Sequence, residues 1–170
     1  MAILMDHLIS WMIAVPIIGI GILAFVRDEE SVRRVAFGFT IVEFFLSLIL
    51  WRDFDFTLQS MQFVERLEWM PTFNIQYAVG VDGISILLVI LTALLCPLCI
   101  LCSWTGITTR VRAYLSLILL VESAMIVVFT ALDLFLFFML WELTMIPMYF
   151  MIILWGGPNR IAAGLKFLLY

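Results

Sequence analysis

Residues 132–155 read LDLFLFFMLWELTMIPMYFMIILW, and this stretch decides the fold. It is long enough to cross a bilayer core as one helix, which takes about 20 apolar residues. After Asp133, its ionisable groups are Glu142 and the very weak acid Tyr149. A charge midway along such a helix costs about 2.5–3.5 kcal/mol on insertion scales, so it is seldom there without a function. Glu142 is therefore predicted to take part in moving a proton or another ion.

The composition of the whole chain agrees with this stretch. Of its 170 residues, 65% are hydrophobic and 13% are charged. Globular domains carry about 25% charged residues. The chain is therefore predicted to be an integral membrane protein whose main surroundings are the lipid bilayer. A nucleic-acid partner is not expected, because the sequence contains no basic patch.

Apolar runs of membrane length recur along the chain. They predict spanning helices at 7–26, 35–51, 84–104, 112–130 and 132–155, and a sixth helix that starts at 160 and is cut off at 170. We expect an all-α fold, a polytopic transmembrane helix bundle that forms a single membrane domain over residues 1–170. Because the sixth helix covers only about half of a bilayer core, we expect the chain to be a piece of a longer protein.

The connections between the predicted helices alternate in charge. The connections after the first, third and fifth helices carry the basic residues, whereas the segment 52–80 is mainly acidic and the fourth connection contains Asp133. By the positive-inside rule, the N-terminus is predicted to lie outside. Segment 52–80 is then an outer loop that forms short strands or lies at the membrane interface. Asp82 and Asp133 are predicted to cap the helices that follow them.

Three glutamates fall inside predicted spans: Glu43, Glu122 and Glu142. Glu122 and Glu142 lie at similar depths on helices joined by a short connection, so they are predicted to be neighbours that could pass or share a proton. The alternative, which the sequence leaves open for each, is a neutral or paired carboxyl group that holds helices together. Lys166 is either an interfacial cation or an internal relay residue.

Cys96, Cys99 and Cys102 form a CxxCxxC pattern. That spacing occurs at iron–sulfur sites, but here it lies in an apolar run without a fourth ligand nearby. We expect small buried side chains along one helix face and no metal site.

Four strings in the sequence resemble a known family. These are GVDGIS at 80–85, DLFLFF at 133–138, WELTMIPMY at 141–149 and WGGPNR at 155–160. They resemble the antiporter-like proton-channel subunits of respiratory complex I, the bacterial NADH–quinone oxidoreductase. The resemblance covers nearly the whole chain, but only about the N-terminal third of a family member.

The resemblance implies a function in redox-driven proton translocation. It implies that Glu142 is a proton relay residue and that the lysine that modulates it lies beyond Tyr170. Glu122 is a further candidate relay residue because of its predicted depth next to Glu142. It also implies neighbouring antiporter-like subunits as partners, and a bacterial inner membrane in which 52–80 faces the periplasm. No cofactor is expected in this chain; the complex would use flavin mononucleotide (FMN), iron–sulfur clusters, NADH and quinone.

Two related classes of protein remain as alternatives. One is a subunit of a multisubunit Na⁺/H⁺ antiporter, which shares the key glutamate, and the other is a membrane-bound hydrogenase. A purely structural membrane scaffold fits three glutamates inside spans poorly.

Overall fold

The structure of the chain, a computed structural model, describes residues 7–58, 60–73 and 75–169. Five of its helices are long and apolar enough to cross a membrane. The prediction of an all-α transmembrane helix bundle is therefore confirmed. The helices are α1 (Leu8–Phe25), α2 (Glu29–Asp53), α3 (Ser85–Ser103), α4 (Val111–Thr130), α5 (Leu134–Trp155) and the shorter α6 (Arg160–Leu169).

Helix α2 begins at Glu29, six residues before the predicted start at 35. The Asp28 side chain caps it by accepting a 2.8 Å hydrogen bond from the backbone N–H of Ser31. Glu29 and Glu30 occupy the first turn, where negative charge suits the positive end of the helix dipole. The apolar run marks only the part of the helix that lipid can surround, so hydropathy misses this polar first turn.

Segment 52–80 contains a β-hairpin. We predicted that this segment forms short strands or lies at the membrane interface, and the structure shows the strands. Strand β1 (Gln62–Met70) pairs antiparallel with β2 (Ile75–Val81), and a 3₁₀ turn lies between them. The hairpin packs against the connection between α4 and α5. There the N–H of Leu132 donates a 2.8 Å hydrogen bond to the carbonyl of Ala78, and Val79 forms a bridge with Ala131.

Glu65 of β1 fastens the hairpin to the start of α1. Its carboxylate accepts hydrogen bonds from the backbone N–H groups of Ile9 (2.9 Å) and Ser10 (3.2 Å), and from the Ser10 hydroxyl. These are groups in the first turn of α1, whose own N-cap residue, His7, makes no side-chain cap bond. Tyr77 Oη lies 2.7 Å from Ser10 Oγ, and burial, with a smaller effect of the Glu65 charge, raises the pKa of Tyr77. A strand residue thus caps a membrane helix.

Arginines connect the loops at the opposite end of the bundle. Arg33 donates a 2.6 Å hydrogen bond to the carbonyl of Ile107, between α3 and α4. Arg112 donates a 2.5 Å hydrogen bond to the carbonyl of Val26, between α1 and α2. The bundle therefore has a basic end and a hairpin end.

The core of the bundle consists of two apolar clusters, one near each end. The hairpin-side cluster has as its buried members Leu8, Ile9, Met12, Leu50, Phe54, Val79, Val81, Ile86, Val89, Ile126, Val127 and Leu136. The basic-side cluster has as its buried members Leu23, Val32, Ala36, Ile100, Val111, Leu115, Ile118 and Leu119.

Candidate functional site

A layer of polar side chains lies between the two apolar clusters. On α2 the buried face continues from the basic-side cluster through Thr40, Glu43 and Ser47 to the hairpin-side cluster. On α4 it continues through Glu122 and Ser123 in the same way. Within the described residues, all five side chains are at most 3% exposed. Polar groups this deeply buried in a membrane bundle suggest a function, because each one needs a partner.

The two glutamates of this polar layer are completely buried. Glu43 and Glu122 are both 0% exposed. They lie on α2 and α4, which pack against each other. None of the four carboxyl oxygens has a well-formed hydrogen bond to the rest of the described protein. Glu43 and Glu122, the acid pair, are thus enclosed on two neighbouring helices of the described bundle.

Cys96 of α3 completes the cluster. Its side chain is partly buried. Helices α2, α3 and α4 each pack against the other two. The three residues thus lie on three helices that pack against one another.

The cluster lies near the middle of the membrane. Glu43 is 10 residues before the end of α2, Glu122 is 8 residues before the end of α4, and Cys96 is 11 residues after the start of α3. At the helical rise per residue, these offsets are about 12–16 Å from the hairpin ends of the helices. A bilayer core is about 30 Å thick, so the acid pair lies close to its midplane.

Glu142 lies in different surroundings. Its helix α5 packs against α4, as the short connection predicts, but its side chain is exposed on the surface of this bundle. The two predicted neighbours thus lie in different surroundings, because Glu122 is buried and Glu142 is exposed. Helix α5 continues without a break through the buried Pro147, five residues after Glu142.

Lys166 is an exposed side chain on α6. A Cβ atom on Gly164 would lie 2.4 Å from Ile153 Cγ2 and 3.4 Å from the Tyr149 ring, so Gly164 lies level with this part of α5. Because consecutive spanning helices are antiparallel, Lys166 lies roughly level with Tyr149. That residue is about 10 Å along the axis from Glu142. Lys166 is therefore not in direct contact with Glu142 in this arrangement.

The cysteine pattern packs differently from the prediction. Cys99 and Cys102 are exposed on the outer face of α3, and Cys96 is only partly buried. The expectation of three buried thiols is wrong for Cys99 and Cys102, because that face of α3 has no neighbouring helix in this bundle. Over residues 7–58, 60–73 and 75–169, no group of three or more His, Cys, Asp or Glu side chains could hold a metal ion.

Sequence reasoning recognised Glu43 as a residue inside a span but did not predict that the bundle buries it completely. The spacing of Thr40, Glu43 and Ser47, by three and four residues, places polar groups on one face of α2. That polar stripe was the available signal, because a lipid-facing stripe of this kind would be costly.

Comparison with known proteins places the fold in a family. Residues 11–128 match the family model described as NADH-ubiquinone oxidoreductase chain 4, amino terminus. The chain belongs to this family. Residues 131–170 match the model described as NADH:quinone oxidoreductase/Mrp antiporter, TM. The resemblance drawn from the four sequence strings is therefore confirmed, and the chain is a multi-pass membrane protein.

Relatives of this chain 4 family member include NADH-quinone oxidoreductase subunit M of Rhodobacter capsulatus. The two are 41% identical over 172 residues, which cover 98% of this chain and 33% of the relative. The chain thus spans about a third of the length of the curated relatives that it matches.

Solved structures share the fold of this chain 4 family member. A chain of respiratory complex I from Thermus thermophilus matches with a TM-score of 0.79 and 25% identity, over 95% of this chain and 32% of that one. A chain of the Mrp complex from Dietzia sp. matches with a TM-score of 0.74 and 18% identity, over 97% of this chain and 17% of that one. The second match shows the fold alone. The predicted N-terminal portion of an antiporter-like fold is confirmed.

Proposed function

We propose that the chain is the N-terminal part of a proton-translocating membrane subunit of an NADH:quinone oxidoreductase. In this role it couples electron transfer from NADH to quinone with proton movement across the membrane. Its partners are other membrane subunits of the complex, including neighbouring antiporter-like subunits. Family membership supports the proposal, as does the relative from Rhodobacter capsulatus, which is named as subunit M of such an enzyme.

The observation that carries this proposal is the position of Glu142. It is an ionisable residue in the middle of the apolar helix α5, and its side chain is exposed on the surface of the bundle. A carboxylate at that depth needs water or a positive partner, because lipid cannot solvate it. We propose that protein outside these six helices supplies that partner, and that Glu142 binds and releases a transported proton. Glu122 is a second proton relay residue, and Lys166 is the third candidate.

Substitution of Glu142 by Gln in the complete complex tests this role. The amide keeps the shape of the side chain but cannot carry a proton between two sites. Loss of a positioned acid or base lowers the rate of proton transfer by about 100-fold or more. We therefore expect proton transfer through this subunit to be lost while the complex still assembles.

The measurement is the number of protons pumped per NADH oxidised in sealed vesicles. Glu68→Gln is a matched control, because Glu68 is an exposed acid on the hairpin, outside the membrane helices. Normal pumping per electron in an assembled Glu142→Gln complex would remove Glu142 from the path.

The redox cofactors belong to other subunits in this proposal. FMN, iron–sulfur clusters, NADH and quinone would serve the assembled complex, and this chain would contribute the membrane path for protons. We expect the material that co-purifies with the full-length subunit to contain flavin and iron–sulfur clusters. We also expect it to have quinone-reductase activity.

A multisubunit Na⁺/H⁺ antiporter is the second candidate function. The match of residues 131–170 to a model shared with Mrp antiporters favours it, and the fold is also that of an Mrp complex chain. Sodium-dependent proton exchange in the absence of NADH oxidation would select this function over the first.

We also propose a bacterial inner membrane with the N-terminus outside and the hairpin on the periplasmic side. The basic end of the bundle then faces the cytoplasm, in agreement with the positive-inside rule. Thr57→Cys and Gly106→Cys report on the two ends. A membrane-impermeant maleimide should label the first and spare the second in right-side-out vesicles, and the reverse pattern would invert the topology.

A further inference from the structure

We propose that the junction of the hairpin with α1 binds one phosphatidylethanolamine molecule from the surrounding bilayer. Its headgroup occupies a polar cavity between β1 and α1, and one of its acyl chains lies in an apolar groove along α1. This inference goes beyond the proposed function, because it assigns a specific lipid site to the hairpin end of the bundle. It requires neither proton pumping nor a particular orientation in the membrane, so its test can succeed or fail without turnover.

The first argument is the polar cavity where the hairpin meets α1. Its volume is about 170 Å³, and the residues that line it are His7, Ser10, Glu65, Arg66, Leu67 and Tyr77. The carboxylate of Glu65 and the guanidinium of Arg66 thus border one small space with opposite charges. A zwitterionic headgroup carries the complementary charges, an ammonium group and a phosphate diester.

The carboxylate of Glu65 has one acceptor position left for the ammonium group. Its two oxygens offer about four lone-pair positions. Oε1 accepts hydrogen bonds from the N–H groups of Ile9 and Ser10, and Oε2 accepts one from the Ser10 hydroxyl. Nδ1 of His7 lies 3.6 Å from Oε2, which is too long for a hydrogen bond. A primary ammonium group can donate to this position, whereas the quaternary ammonium group of phosphatidylcholine has no N–H to donate.

Arg66 supplies the positive charge for the phosphate group. Its side chain is exposed and lines the cavity, and a guanidinium presents its N–H donors in a planar fork that matches phosphate oxygens. Segment 52–80 carries four acidic and two basic residues, a net charge of −2. An anionic lipid such as phosphatidylglycerol would add negative charge there and bring no ammonium group for Glu65. The charges at this end of the bundle therefore favour the zwitterionic lipid.

The second argument is the groove that continues from the cavity along α1. Its volume is about 350 Å³, its surface is almost wholly apolar, and His7, Ser10, Trp11 and Ala14 line it. His7 and Ser10 border both spaces, so the cavity and the groove are adjacent. Trp11 is 44% exposed on the outside of the bundle. All four residues lie within about 10 Å of the start of α1, the level at which lipid headgroups meet acyl chains and tryptophan is enriched.

Photocrosslinking in the complete complex tests this site. The complex is reconstituted in bilayers that contain phosphatidylethanolamine with a diazirine in one acyl chain, and mass spectrometry locates the adducts. We expect adducts on Trp11 or Ala14. Unlabelled phosphatidylethanolamine should displace the probe, whereas phosphatidylcholine and phosphatidylglycerol should not. Equal displacement by all three lipids would overturn the proposal, because the contact would then be that of any bilayer lipid.

A soluble headgroup separates the contribution of the cavity from that of the groove. Phosphoethanolamine carries the same two charges without acyl chains, so we expect it to displace the lipid probe far less well than the whole lipid. Equal displacement by phosphoethanolamine would overturn the assignment of an acyl chain to the groove.

Arg66→Gln tests the assignment of the headgroup to the cavity. Arg66 is exposed, so its replacement should leave the fold intact, but it removes the charge that binds the phosphate group. We expect the yield of adducts on α1 to fall about tenfold, as for the loss of one hydrogen bond to a charged group. Glu68→Gln is the matched control, because Glu68 is on the same strand but lines neither space, and its yield should equal that of the wild type. An unchanged yield in Arg66→Gln would overturn the proposal.

Discussion

Glu65 provides the sharpest test of how the hairpin is held. Its carboxylate accepts hydrogen bonds from the N–H groups of Ile9 and Ser10 and from the Ser10 hydroxyl, and its side chain is almost completely buried. Hydrogen bonds to a charged group contribute about 1.5–3 kcal/mol each, but bonds that share one acceptor group are not additive. We therefore expect Glu65→Ala to destabilise the attachment of the hairpin by about 3 kcal/mol. Glu65→Gln keeps an acceptor oxygen and loses the charge at the helix N-terminus, so we expect about 1 kcal/mol.

Trypsin cleavage after the neighbouring Arg66 measures this stability. A paired strand resists cleavage, so the rate follows the population of the opened hairpin when opening and closing are fast. At 1.4 kcal/mol per tenfold change, the expected increase in rate is about 100-fold for Glu65→Ala and about fivefold for Glu65→Gln.

Glu68→Ala is the matched control for this experiment. Glu68 lies on the same strand as Glu65, carries the same charge and is two residues from Arg66. Unlike Glu65, its side chain is exposed. Its removal should leave the cleavage rate within about twofold of the wild type, as expected for an exposed site. Equal rates for Glu65→Ala and Glu68→Ala would refute the capping role.

Two further predictions concern a cap and a helix contact. Asp82 Oδ1 accepts hydrogen bonds from the N–H groups of Ser85 (2.7 Å) and Ile84 (3.0 Å), and the bonds from Ser85 are the main cause of its lowered pKa. The stabilisation by the Asp82 carboxylate should be complete above the ordinary carboxyl pKa of about 3.9 and be lost as the pH falls through the lower pKa of the folded state. An asparagine side chain cannot titrate, so acid unfolding of the Asp82→Asn variant should lack this loss of stability. An acid-unfolding profile equal to that of the wild type would contradict the prediction. Gly164→Ala should lower the free energy of unfolding by about 1–3 kcal/mol, because the new Cβ would lie 2.4 Å from Ile153 Cγ2. Gly157→Ala, with open space around it, should have no effect in the same melting experiment, and equal melting temperatures for both variants would contradict the packing argument.

Local chemistry made several elements predictable from the sequence. The apolar runs predicted the spanning helices because lipid imposes one length and one composition on them. Asp133 was correctly predicted as a cap, since its Oδ1 accepts a 3.0 Å hydrogen bond from the N–H of Leu136. These features depend on neighbours within a few residues along the chain.

Features that depend on distant residues were not predictable in the same way. Glu65 looks like an ordinary charged loop residue, yet it caps a helix 55 residues earlier in the chain. The complete burial of Glu122 depends on the rotation of α4 about its own axis. Packing of α4 against all of α1, α2, α3 and α5 sets that rotation, and a single sequence does not report it.

The buried acid pair also has a consequence for biogenesis. Helix α2 has a mean hydropathy of 1.7, the lowest of the five candidate spans. Synthesis proceeds from the N-terminus, so Glu43 enters the membrane before Glu122 has left the ribosome. Until α4 arrives, α2 carries an acidic group without the neighbouring helix that packs against it in the folded bundle. Helix α2 therefore enters the membrane before α4 but is fully packed only when α4 joins it. Glu43 thus makes the order of synthesis part of how this bundle assembles.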